Sequence, residues 1–163
     1  MMIKKFEVER FSVTSSKSFD LVVAALEGSV GHPDMAKFNK AIKEALTFAQ
    51  LETIVRQALG GTELMIFMKL DSGAILRKET GHAAPRIMRF IVGNPLIMKE
   101  MAKHIPDAAS YAPVTILIDE RSDGVHLSYD RMTSLLAPYG NSASLTVARS
   151  LDAKIEKLLR YCC

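Results

Sequence analysis

The 163 residues contain no tryptophan, and the only cysteines are the adjacent pair Cys162 and Cys163. A vicinal pair makes no disulfide framework and fits a reducing compartment. No apolar run approaches the roughly 20 residues needed to span a bilayer, so no membrane partner is expected. Met1 to Arg10 mixes charged and apolar groups and lacks the apolar stretch of a secretory signal. The expected location is cytoplasmic. Like charges never run long enough to form a tail, and the net charge is only +3. That is far from the clustered basic surface of a nucleic-acid binder, so no nucleic acid is expected as a partner. Neither GxGxxG nor a Walker signature occurs, which removes the usual phosphate cradles. The histidines are His32, His82, His104 and His126. Glu100 with His104, and His126 with Asp130, form pairs without a local third ligand. No metal and no cofactor are therefore expected.

What is present is an ordinary globular composition, 48% hydrophobic and 24% charged. With no repeat, linker or low-complexity stretch, the expectation is a single domain over 1–163. Lys4 to Thr14 reads as a strand, bent where the parity slips between Val8 and Phe11. Ser16 or Ser18 can cap a helix whose stripe is Phe19, Val22, Val23 and Leu26. After the break at Gly31-His32-Pro33-Asp34, the stripe Met35, Phe38, Ile42, Ala45, Leu46 predicts a second helix. Thr47 and Gln50 form a capping box for a third, which Gly60-Gly61 would end in the left-handed conformation.

Leu64 to Asp71 reads as a strand, and Asp71-Ser72-Gly73-Ala74 as a turn returning Ala74 to Lys78 as its hairpin partner. Ile87 to Val92 is a further strand. Asn94 with Pro95 starts a helix that Pro106 stops. Val114 to Ile118 should be a central strand buried on both faces or nearly so. Ser122-Asp123-Gly124 signals a hairpin into the alternating strand Val125 to Asp130. The last helix has Val147, Ala148, Leu151, Ile155, Leu158 and Leu159 on its apolar stripe. Arg149, Asp152, Glu156, Lys157 and Arg160 fall on its wet face. Two tight hairpins among interleaved helices argue for α+β, with a mixed or antiparallel sheet covered by helices.

Gly93-Asn94-Pro95-Leu96, Tyr111-Ala112-Pro113, Asp119-Glu120, Asp123-Gly124 and Ser128-Tyr129-Asp130 occur in that order. Together with Asp71-Ser72-Gly73-Ala74, Val147-Ala148-Arg149 and Leu151-Asp152, they resemble one bacterial and archaeal family, domain of unknown function number three hundred and two. The resemblance spans roughly Leu64 to Leu159. It implies a compact β-α-β-β-α-β core and a tendency to dimerise, and no established activity. Where members of the family resembled carry Cys before Asn-Pro, this chain has Gly93, so thiol chemistry is absent there. Nine methionines add to the expectation of a homodimer.

The chemistry-bearing residues fall into three groups. Gly93 and Asn94 open a helix whose free amides and dipole can hold an anion, although Pro95 removes one donor and Asn94 caps another. Arg89 interrupts an apolar strand, where an unpaired charge is costly. It should reach an edge, a bound anion or a carboxylate such as Asp71, Asp119 or Asp130. Tyr111, Tyr129, Asp71 and Asp130 could line one pocket, where a desolvated carboxylate beside a phenol can do acid–base work. Asp119-Glu120 reads as a solvated turn, and Cys162-Cys163 as a frayed end. The leading expectation is a binding module for a small molecule, an anion among the candidates, held by Arg89 and the amides after Gly93 in one cleft. The competing expectations are an enzyme of unknown reaction using Asp71, Tyr129 or Asp130, and a protein whose business is its dimer surface.

Overall fold

The computed structural model describes residues 1, 3–81 and 84–163. Its strands are β1 (Arg10–Ser15), β2 (Met65–Asp71), β3 (Ile87–Gly93), β4 (Val114–Arg121) and β5 (Gly124–Asp130). Between β1 and β2 stand α1 (Phe19–Ser29), α2 (Met35–Glu44) and α3 (Phe48–Ala58), and between β2 and β3 stands α4 (Gly73–Thr80). Helices α5 (Pro95–Ala102) and α6 (Ala108–Tyr111) precede β4, and α7 (Met132–Leu136) and α8 (Ser142–Cys162) follow β5. The five strands form one sheet in the order β1-β5-β4-β3-β2, every neighbouring pair antiparallel. The class is α+β as read from the sequence. The sheet is antiparallel rather than mixed, apart from one isolated parallel bridge from Gly31 to Met65.

The helix starts follow the capping residues. The Ser18 hydroxyl accepts from the Leu21 amide, Asp34 from Ala36 and Lys37, and Asn94 from Leu96 at 2.8 Å. The Thr47 hydroxyl accepts from the Gln50 amide at 3.2 Å, while the Gln50 side chain accepts from the Leu46 amide instead of that of Thr47. Apart from that Leu46 bond, each satisfies an amide that the first helical turn leaves without a partner.

One face of the sheet is covered. Val114, Ile116 and Ile118 of β4 alternate into a core with Phe90, Leu127 and Tyr129, beneath Val22 and Leu26 of α1 and Leu151 and Ile155 of α8. The other face carries no helix layer. Ser12, Thr115 and Arg89 lie exposed on it, and Leu117 is only half-buried. Expecting β4 to be buried on both faces was therefore wrong. Thr115 and Leu117 floor an open surface, as antiparallel sheets allow.

Four further expectations are corrected. Residues 3–9 carry no regular structure, and the first strand starts at Arg10. Ala74 to Lys78 is not a hairpin partner but the body of α4. Its Ala, Leu, Arg, Lys and Glu favour helix, and Asp71 caps it by accepting the Ala74 amide at 3.0 Å. Gly60 does not take the left-handed conformation. A Cβ on it would sit 2.4 Å from the Val30 carbonyl carbon, and one on Gly31 would sit 1.9 Å from the Ala58 oxygen. The two glycines let two backbones cross while both amides donate to the Leu64 carbonyl. Finally, the C-terminus is docked rather than frayed. The Ser15 hydroxyl donates to the Cys163 carbonyl, and Cys162 is fully buried. Burial, with Cys163 alongside, pushes the Cys162 thiol up to about 11.

Candidate functional site

A groove of about 540 Å³ opens on the uncovered face at the N-terminal end of β4. Thr115 and Leu117 of β4 form its floor with Arg89 and Ile91 of β3 and Ser128 and Asp130 of β5. Cross-strand register puts them there: Arg89 opposes Leu117, Ile91 opposes Thr115, and Leu117 opposes Ser128. Arg10 on β1, Ala112-Pro113 before β4 and Leu135 on α7 complete the wall.

The charges of the groove are unequally satisfied. Arg10 donates to both oxygens of Asp130, at 2.7 and 2.9 Å. That two-pronged bond, and the opposite charge behind it, raise the Arg10 guanidinium further above its usual value. Arg89 donates only to the Thr115 hydroxyl, at 3.3 Å. Among the described residues no carboxylate forms an ion pair with it. Of the other cations between Lys69 and Lys103, Lys69 pairs with Glu27, Arg77 with Asp71, Arg86 with Glu120 and Asp20, and Lys99 and Lys103 with Glu100. Two arginines against one aspartate leave the groove with one uncompensated positive charge, set between Ile91 and Leu117.

The sequence-proposed residues divide among several places. Arg89, Tyr111, Tyr129 and Asp130 border the groove. Tyr111 turns its hydroxyl to that of Tyr139, 3.3 Å away, and Tyr139 donates to Asp107 at 2.7 Å. These bonds raise the Tyr139 phenol, that of Tyr111 first. Tyr129 meets the groove from behind, with its ring in the core. Its hydroxyl donates to Asp152 at 2.7 Å, and burial, followed by the Asp152 charge, raises its pKa. Tyr129 is thus removed from the groove as an acid or base.

Gly93 and Asn94 are not in this groove. Asn94 lies in a separate cleft with Phe48, Arg56 and Glu100. Its side chain is spent on the Leu96 amide and the Glu63 carbonyl. The Arg89 and Asn94 donors therefore do not face one cleft, because their side chains leave β3 and its continuation in different directions. Asp71 sits at the β2 edge, holding Arg77 at 2.5 Å. Asp119 is buried rather than solvated and accepts from Arg121, and Glu120 holds Arg86. Among the described residues no three His, Cys, Asp or Glu side chains converge as metal ligands. His126 is held by Asp123 at 2.8 Å, and His32 donates to the Glu27 carbonyl. His82 lies outside the described residues.

Sequence reading missed Asp152. It was placed on the wet face of the last helix, yet it is 1% exposed. It accepts from the Met132 amide at 2.8 Å, the Thr133 amide at 3.1 Å and the Tyr129 hydroxyl, and so caps α7 from across the core. The signal was available, since Asp152 falls between Ala148 and Ile155 on the apolar arc. The missed members of the groove are Arg10, Thr115 and Ser128, which only the strand register brings beside Arg89.

The sequence pattern of the family described as Domain of unknown function DUF302 matches residues 38–161, and the chain belongs to that family. A crystal structure of an uncharacterized conserved DUF302 protein from Bacillus stearothermophilus shares the fold. The similarity has a TM-score of 0.65 and covers 94% of this chain and 98% of that one, at 11% sequence identity. No curated protein matches. No helix among the described residues is long and apolar enough to cross a membrane.

Proposed function

We propose that this DUF302 domain is a binding module for a small organic anion, held in the groove on the uncovered sheet face with its charge on Arg89. The observation that carries the reading is Arg89 itself: an exposed guanidinium in a concave site, with a hydroxyl as its protein partner and apolar side chains on either side. Its planar fork suits a carboxylate or phosphate. A single uncompensated charge between Ile91, Leu117 and Leu135 favours a monoanion with a hydrocarbon part, and so a carboxylate over a phosphate dianion. Acid–base chemistry has less support, because Asp130 spends both oxygens on Arg10, the Tyr129 hydroxyl is bound to Asp152 in the core, and Asp71 lies at the β2 edge.

Native mass spectrometry of the purified protein tests this, read alongside affinity for hexanoate and benzoate by calorimetry. Arg89→Met keeps the length and apolar stem of the side chain. Loss of a charged hydrogen bond of about 1.5–3 kcal/mol should weaken carboxylate binding about 10- to 100-fold. Equal affinity in the variant and the wild type would reject the assignment.

A further inference from the structure

The hydroxyls that line the groove are not equally engaged. That of Ser110 donates to the Asp107 carbonyl at 2.7 Å, and that of Tyr111 meets Tyr139. That of Thr115 accepts from Arg89, and that of Tyr129 donates to Asp152. Ser128 is the exception. It is only 8% exposed, and among the described residues nothing forms a hydrogen bond with its side chain. The pleat aims it at the groove. Val125, Leu127 and Tyr129 alternate into the core, so Ser128 leaves β5 on the open face, beside its cross-strand partner Leu117. A hydroxyl in this position is served by water until a ligand displaces it. A ligand with only hydrocarbon over Leu117 would strip that water and give nothing back, the costly outcome for a polar group without another partner. A ligand with its own hydroxyl there would replace the lost bond.

We propose that the groove selects hydroxylated carboxylates, with the carboxylate on Arg89 and the hydroxyl on Ser128. This rests on the reading of the groove as an anion site and adds a second point of attachment to it. A serine hydroxyl both donates and accepts, so it can bond an alcohol in either sense. The spacing sets the class. Arg89 donates to Thr115 of β4, so its guanidinium lies over the strand that neighbours β5. Thr115 and Ser128 are diagonal neighbours, because Ser128 directly opposes Leu117. Such neighbours stand roughly 7–8 Å apart, about the reach of an extended six-carbon chain. The ligand hydroxyl therefore belongs at the far end of the chain, as in 6-hydroxyhexanoate, and not beside the carboxylate, as in 2-hydroxyhexanoate. Leu117 takes the methylenes between.

Calorimetric titration with hexanoate, 6-hydroxyhexanoate and 2-hydroxyhexanoate tests it, with circular dichroism confirming that each variant is folded. In the wild type 6-hydroxyhexanoate should bind about 3- to 10-fold more tightly than hexanoate, the worth of one net hydrogen bond. The 2-hydroxy isomer should show no such gain. Ser128→Ala should erase the gain and leave hexanoate bound as tightly as before or more tightly. Ser12→Ala, next along the same cross-strand row on β1, should keep the gain. Equal weakening of both ligands by Ser128→Ala would assign Ser128 a structural role and overturn the selection. If hexanoate binds through Arg89 but the gain is absent, or survives Ser128→Ala, this inference falls and the anion reading stands. If neither carboxylate binds, or Arg89→Met leaves both affinities unchanged, both fall.

Discussion

Asp152 shows how much of this fold rests on single polar side chains. A carboxylate 1% exposed is tolerable because three donors converge on it: the Met132 and Thr133 amides and the Tyr129 hydroxyl. Removing the acceptor strands those donors in the core, at about 1–3 kcal/mol each when left unsatisfied. Asp152→Ala should therefore lower stability by at least about 3 kcal/mol in urea unfolding. Tyr129→Phe, which removes one donor and leaves the carboxylate two others, should cost only about 1 kcal/mol. The reverse order would show that the hydroxyl, not the carboxylate, is the hub. The burial of Asp152 was legible from its place between Ala148 and Ile155 on the apolar arc, but the arc does not state that donors await it. Arg89 was legible directly: a guanidinium in an otherwise apolar strand demands an explanation from the strand alone. Its neighbours were not legible, since Arg10 and Ser128 reach it only through three strand pairings.

Strand β4 carries the fold at the scale of elements. Its even-numbered residues from Val114 to Ile118 are buried, while Thr115 and Leu117 face the groove. Ile116→Ala should cost about 2–5 kcal/mol, the range for emptying a core site. Leu117→Ala, on the open face, should cost less than about 1 kcal/mol. Similar losses at both positions would mean that the open face is covered. Helices α1, α3 and α5 were readable from their caps, Ser18, Thr47 and Asn94, because a cap is local chemistry. The α4 segment was misread because its turn signal, Asp71-Ser72-Gly73, serves equally as a helix start. The Gly31–Gly60 crossing was invisible, because a close approach between distant backbones leaves only two glycines in the sequence.

At the scale of the whole molecule, chain order and sheet order diverge. Strands β1 and β2, both from the first half, stand at opposite edges, and β3, β4 and β5 lie between them. We propose that the chain folds as one unit for this reason. A Met1–Gly81 fragment has no two adjacent strands. A His82–Cys163 fragment keeps three strands but loses Phe19, Val22 and Leu26 from the covering layer. Neither should show a cooperative thermal transition, and such a transition in either would contradict this. The same topology leaves one face of the sheet bare and places a free arginine on it. The most direct measurement is a 1H–15N NMR titration with hexanoate, with hexanamide as the neutral control. The account predicts saturable shifts at the Arg89 side chain and at the amides of Thr115, Leu117 and Ser128, absent with the amide and lost in Arg89→Met. Shifts centred on Asn94, or a response that survives Arg89→Met, would contradict it.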